Sequence, residues 1–290
     1  MTRVLLWIFS ALVCLYLLLP AAVVIPLSFN SSPFLQFPPP GYTTKWYEQF
    51  FADPSWTGSL FMSFRVGSMS ALLSIVLGAT AAYFLLRAGR KTERYVDTAL
   101  ALPLVVPIVV FAAGLYFVKL VYLPQGTSPE LVLVLAHGVM TMPYVLLYIR
   151  AAFSQVNWQL ERAARNAGAS GVRAFADVVL PQIWPALAAS GVLAFVLSLD
   201  ETVISMFVTD GSTRTLPARM FSSISYQLNP LVPVAAAVML GSMAALGILY
   251  LVIRIVANRL KNTQQSHAAR ATEPENSTRE IAISKVVEGS

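Results

Sequence analysis

Apolar residues fall along this chain in long uninterrupted runs rather than in strict alternation, and the runs reach the ~20 residues that an α-helix needs to cross a bilayer. Six are found, at roughly Val4 to Leu27, Gly58 to Leu86, Thr98 to Tyr122, Pro129 to Ile149, Pro185 to Val208 and Leu231 to Ile253. Lipid-facing backbone must satisfy its hydrogen bonds within the segment, and continuous runs of this length predict helices rather than barrel strands. The pattern therefore predicts an all-α membrane protein with six transmembrane helices in one domain, residues 1–258. The polar tail from 259 to 290 has no sustained period and is expected to be disordered.

Composition agrees with this reading. The chain is 57% hydrophobic and 12% charged, with mean hydropathy +0.66, so it has too few charges to coat a soluble globule of 290 residues. Arg3 and the run after it resemble a signal peptide's first two regions. The run continues through Pro20 to Leu27, however, beyond the ~7–15 apolar residues of such a segment, and a retained span is expected. Cys14, the only cysteine, lies within that span and can form no internal disulfide.

Charge sets the orientation. One face of the membrane receives Arg3, the cluster Arg87, Arg90, Lys91 and Arg94, then Arg150, Arg162, Arg165 and Arg173, and the basic residues after Ile253. The opposite face has Lys45, Arg214 and Arg219. Positive-inside bias puts both termini in the cytoplasm. The net charge of +6 is explained by this asymmetry, and no nucleic-acid partner is needed.

Between the fourth and fifth runs lies LERAARNAGASGVRAFADVVLP, from Leu160 to Pro181. It is polar and Arg-bearing, and the charge count places it, within a loop at 150–184, on the cytoplasmic surface. Small Ala163, Ala164, Ala167 and Gly168 allow close backbone approach. Glu161, Arg162, Arg165 and Arg173 can ion-pair with a soluble partner. Gly168 is the natural turning point, because glycine adopts positive φ without steric cost. On composition alone an ordinary solvated amphipathic helix would read the same way.

Inside the fifth run stands SLDETVISMF, with Asp200 and Glu201 adjacent. A charge at the centre of a membrane helix costs roughly 2.5–3.5 kcal/mol on insertion scales and usually faces a bundle interior or a water-filled cavity. On one continuous helix Glu201 shares a small, polar stripe with Ser190, Ala194, Ser198 and Ser205, whereas Asp200 shares an apolar one. Glu201 is therefore expected to face a cavity and Asp200 to meet a buried donor such as an Arg. Locking of helix packing by ion pairs remains open for both. Arg65 is expected either to snorkel or to pair with Asp200, Lys119 to snorkel, and His137 to be a hydrogen-bonded packing residue. The aromatics of the loop from Ser28 to Thr57 suit an interfacial belt, and the segment after Asp210 is expected to re-enter the far half of the bundle.

No phosphate loop of the G-x-x-x-x-G-K-[ST] type occurs, and no nucleophile and base stand at recognisable spacing, so the chain is not expected to be an enzyme. His137 and His267, the only histidines, fall in different compartments and offer no metal site.

Several pieces resemble one family. The spacing of Ala163, Ala164, Gly168, Leu180 and Pro181 is similar to the EAA loop of ABC-importer permeases. GYTTKWY at Gly41, LPLVVP at Leu102, LAHGVMTMPY at Leu135, SLDETVISMFV at Ser198 and TLPARMFSSI at Thr215 resemble the spermidine/putrescine-type subunits. The resemblance implies a type I importer fold in a bacterial inner membrane, moving a small polar solute such as a polyamine by alternating access. It implies three partners: a second related permease, an ABC ATPase dimer that binds the ATP, and an extracytoplasmic solute-binding protein. The chain itself would carry no cofactor. Glu161, Arg162, Ala163, Ala164, Gly168, Leu180 and Pro181 would form the ATPase contact, and Asp200 with Glu201 the family's acidic pair on the substrate path.

Two departures stand out. The EAA glutamate falls on Arg162, and Pro107 is followed by Ile108 where polyamine permeases tend to carry an acid. Arg65, Lys119, Arg214 and Arg219 would suit an amino acid, opine-like or aminophosphonate solute instead. A secondary carrier would show internal repeats and no EAA loop. A non-transporting scaffold would have no need of carboxylates in a span.

Overall fold

The computed structural model describes residues 2–86, 88–211, 213–226, 229–248 and 250–252. The expected tail, the end of the sixth run at Ile253 and His267 lie outside them. The chain divides into two units, Met1–Met239 and Leu240–Ser290, and the second is helical over 240–248 and 250–252.

The elements of the first unit are α1 (Thr2–Ser28), α2 (Lys45–Ala52), α3 (Pro54–Leu85), α4 (Arg90–Val105), α5 (Ile108–Tyr122), α6 (Pro129–Phe153), α7 (Trp158–Asn166) and α8 (Gly171–Ala174). A π-helical turn at Phe175–Val179 follows, then α9 (Leu180–Asp200), α10 (Val203–Val208) and α11 (Leu216–Tyr226). Five helical stretches are long and apolar enough to cross a membrane: Arg3–Ser28, Pro54–Leu85, Pro129–Phe153, Gly171–Asp200 and Leu231–Val252. Residues 3–20 of α1 are exposed throughout, as are Leu120, Val121 and Tyr122 of α5. Apolar exposure on this scale needs lipid or another chain to cover it.

α3, α6 and α9 form the centre. α3 presents a stripe of small residues to its neighbours, with Ser59, Ser63, Gly67, Ser70, Ala71, Ser74, Gly78 and Ala82 all buried. Small side chains let helix backbones approach, and their hydroxyls bond across the gap. Ser70 Oγ donates to the Val134 oxygen at 3.2 Å and Ser74 Oγ to the Gly138 oxygen at 2.9 Å. At Gly78 an added Cβ would stand 2.9 Å from Val145 Cγ1 and 3.2 Å from the Leu146 nitrogen, so glycine there is what permits the α3–α6 approach.

Three expectations are corrected. The third run is not one helix: it breaks at Val106 and Pro107, both extended at ψ 126° and 130°. Proline has no N–H to continue the ladder and pushes the residue before it out of the helical region. The fifth run also breaks, at Glu201 and Thr202, and its helical stretch begins at Gly171 rather than near Pro185. The aromatics of the loop after α1 are only in part a surface belt: Phe34, Phe37, Tyr42 and Phe51 are exposed, but three others are not. Trp46, Phe50 and Trp56 are buried with Leu216, Leu231 and Val234 in a compact core at one end of the bundle, and Trp46 Nε1 donates to the Asn30 oxygen at 2.7 Å.

Candidate functional sites: a surface loop and a cavity at a helix break

The segment Leu160 to Pro181 folds as α7, a tight turn, α8 and the start of α9. Asn157 caps α7 by accepting from the Gln159 nitrogen at 3.0 Å. α7 ends in a paired-hydrogen-bond C-terminal motif. The Gly168 nitrogen donates to the Arg165 oxygen and the Ala169 nitrogen to the Ala164 oxygen, with Gly168 at φ +93°. That is the Schellman arrangement, and it needs a residue tolerant of positive φ. Ser170 then caps α8 by accepting from the Arg173 nitrogen at 3.3 Å. The loop is anchored to the bundle through rings, Tyr83 on Phe175 at 5.1 Å between centroids and Phe153 on Trp158 at 5.9 Å.

Arg162, Ala163, Gly168 and Pro181 are exposed, and Ala164 and Leu180 are half-buried. Glu161 is 8% exposed and lies 3.7 Å from Arg165 Nη1 on its own helix. Arg173 pairs with Asp177 at 3.4 Å. Exposed Arg162, Arg165 and Arg173 thus make the outward face of the loop predominantly cationic. Val172, 83% exposed, adds an apolar knob that the sequence reading missed. An isolated valine among polar residues next to a glycine turn was its only signal.

The second site lies at the α9–α10 break. Glu201 Oε1 accepts from the Val203 nitrogen and Oε2 from the Ile204 nitrogen, both at 2.9 Å. The carboxylate therefore satisfies the first N–H groups of α10, where it also meets the positive end of the helix dipole. Its side chain is 10% exposed, and Oε2 stands 3.5 Å from His137 Nε2. His137, buried on α6, is held from the other side by Ser198 Oγ at 2.7 Å from Nδ1. A cavity of about 140 Å³ opens beside these groups, lined by Ile108, His137, Met140, Thr141, Tyr144, Leu197, Ser198 and Glu201.

The stripe comparison assumed a continuous helix, and the break removes that premise. Asp200 ends α9 exposed, and among the described residues no cation pairs with it. Arg65 does not reach it and instead pairs with Glu130 at 2.8 Å. Lys119 does not snorkel, since its Nζ donates to the Val208 oxygen at 2.6 Å. Arg214 donates to Ser222 Oγ at 2.9 Å, and Arg219 to Ser59 Oγ at 2.6 Å and the Gly211 oxygen at 2.7 Å. Burial lowers the Arg219 pKa from its ordinary value, against the pull of Asp53 and with the help of Arg214.

A bundle of long apolar helices around a polar break, with an anchored surface loop, defines a multi-spanning membrane permease. The chain belongs to the family of binding-protein-dependent transport system inner membrane components, whose pattern matches residues 74–266. It is 30% identical over 258 residues to the putrescine transport system permease protein PotI of Escherichia coli (strain K12), across 87% of this chain and 92% of that one. It is 29% identical over 234 residues to the spermidine/putrescine transport system permease protein PotC of the same strain, across 80% and 87%. In fold it matches a bacterial alginate ABC transporter, crystallised in complex with alginate pentasaccharide-bound periplasmic protein, with TM-score 0.65 and 14% identity over 89% of this chain and 94% of that one.

Proposed function

We propose that this permease imports a polyamine such as putrescine or spermidine, as one of two related membrane subunits driven by an ABC ATPase dimer and fed by a solute-binding protein. The observation that supports a cationic solute is the fate of the charges. Arg65, Lys119, Arg214 and Arg219, which would otherwise suit an anionic or zwitterionic solute, all have partners within the chain. The carboxylate of Glu201 faces the cavity. Relatives named for putrescine and spermidine transport support the same substrate class.

In this reading both termini and the α7–α8 loop are cytoplasmic, and ATP is bound by the partner rather than by this chain. The ATPase grips Arg162, Ala163, Ala164 and Gly168, with Glu161 acting from within by orienting Arg165, and with Leu180 and Pro181 carrying the movement into α9. Asp200 and Glu201 stand on the substrate path. Alternating access needs an element with two arrangements that nucleotide can bias, and the broken α9–α10 helix, joined to the loop by α9 itself, is suited to that role.

The test is ATPase activity of the reconstituted complex, with its binding protein loaded in turn with spermidine, putrescine and a zwitterionic amino acid. Stimulation by the polyamines is expected. Stimulation by the amino acid alone would discard the polyamine reading and keep the importer.

A further inference from the structure

Building on that polyamine reading, we propose that the α9–α10 cavity seats one primary ammonium end of the solute between Glu201 and His137, with His137 as a specificity-determining acceptor.

His137 is 1% exposed, and its Nε2 has no hydrogen-bond partner. Its nearest ionic neighbour, Glu201 Oε2, is 3.5 Å away. We assign to the seat the tautomer that donates Nδ1–H to Ser198 Oγ, in which the Nε2 lone pair and the carboxylate oxygen face each other across 3.5 Å. Two acceptors so placed call for a donor group with several N–H bonds, and a carboxylate buried to this degree calls for a positive charge. A primary ammonium brings both. A hydroxyl brings one hydrogen and no charge, an anion is repelled by Glu201, and a quaternary ammonium brings charge without donors.

Ser198 Oγ holds Nδ1 at 2.7 Å, which keeps Nε2 on the side of Glu201. Glu201 is likewise fixed, because each oxygen accepts a main-chain N–H of α10 and keeps a second lone pair free. Ile108, Met140 and Leu197 supply an apolar wall for the methylene stem, and Tyr144 an aromatic one. The cavity, about 140 Å³, is close to the ~150 Å³ that admits a benzene-sized molecule. It holds one alkylammonium end and not a whole triamine. Its lining has one carboxylate, Glu201, which matches one charge.

The test uses the full complex in lipid nanodiscs, with this subunit alone labelled with 15N-histidine and carrying His267→Gln, so that one imidazole reports. n-Butylammonium, putrescine, tetramethylammonium and 1-butanol are titrated in turn. The expected result is a His137 Nε2 shift with n-butylammonium and putrescine, at least tenfold weaker apparent binding for the other two, and loss of the shift in Glu201→Gln. Equal response to 1-butanol would make the space a plain apolar void, and no response to any probe would remove the seat; either overturns the proposal. Leu197→Phe, which fills the apolar wall, should cut uptake at least tenfold while the loaded binding protein still stimulates ATPase. Unchanged uptake would also overturn it. The polyamine reading fails separately, if polyamine-loaded binding protein leaves wild-type ATPase unstimulated, and the n-butylammonium titration is unaffected by that outcome.

Discussion

Lys119 Nζ donates to the main-chain oxygen of Val208 at 2.6 Å, fastening α5 to the last turn of α10. With Glu201 on the first N–H groups, this six-residue helix has an anion at its positive end and a cation at its negative end, the arrangement the helix dipole favours. Lys119→Met should therefore destabilise the chain by about 1.5–3 kcal/mol, the worth of a hydrogen bond to a charged group. Thermal unfolding of the purified protein in detergent measures it, and an unchanged midpoint would show that the contact contributes nothing.

Glu201 and Asp200 are adjacent but differ in what they hold. Glu201→Ala strips two main-chain N–H groups of their acceptors, at about 1–3 kcal/mol for each left unpaired, and removes the cavity's carboxylate. Asp200→Ala removes an exposed group. Uptake in proteoliposomes should fall further for Glu201→Ala than for Asp200→Ala, and the opposite ranking would refute the role given to the helix break.

At Gly168 the backbone has φ +93° and its N–H is bonded to Arg165. Proline can supply neither. Gly168→Pro should abolish binding-protein-stimulated ATPase while the complex still assembles in the membrane. Gly168→Ala meets no neighbouring atom within 4 Å and should cost only the left-handed backbone strain, about 1–2 kcal/mol. Normal uptake by the proline variant would sink the coupling role.

Two glycines on facing helices should respond differently to one added methyl. At Gly78 the obstacle is β-branched Val145, with the Leu146 backbone just behind it. At Gly138 it is the far end of Leu73, whose Cδ2 lies 2.7 Å away. Valine is stiff about χ1, whereas a leucine tip can swing. Gly78→Ala should destabilise by about 1–3 kcal/mol, the usual cost of overpacking, and Gly138→Ala by less. Parallel melting curves for the two variants would test the order.

Much of this protein is legible in its sequence, because crossing a bilayer imposes a one-dimensional rule. Run length and hydropathy located the first, second, fourth and sixth membrane runs to within a few residues, though not the third and fifth, and the spacing around Gly168 located the turn. The stripe of small residues on α3 acquires its meaning only in the structure, where Ser70, Ser74 and Gly78 meet α6, Gly67 meets α9, and Ser59 and Ser63 meet α11. Hydropathy did not reveal the breaks at Pro107 and at Glu201, since the residues on either side are equally apolar.

The pairing of charges was decided in three dimensions. Arg65 finds Glu130, Lys119 finds a carbonyl, and Glu201 turns onto the N–H groups of the next helix and toward His137, 64 positions earlier in the chain. The sequence by itself determined that this chain is a bundle of membrane helices, because solvent and lipid act on each segment independently. Only the tertiary structure decided which buried charges are spent on the fold and which face a cavity, because at contact distances a charge's partner is set by packing between segments.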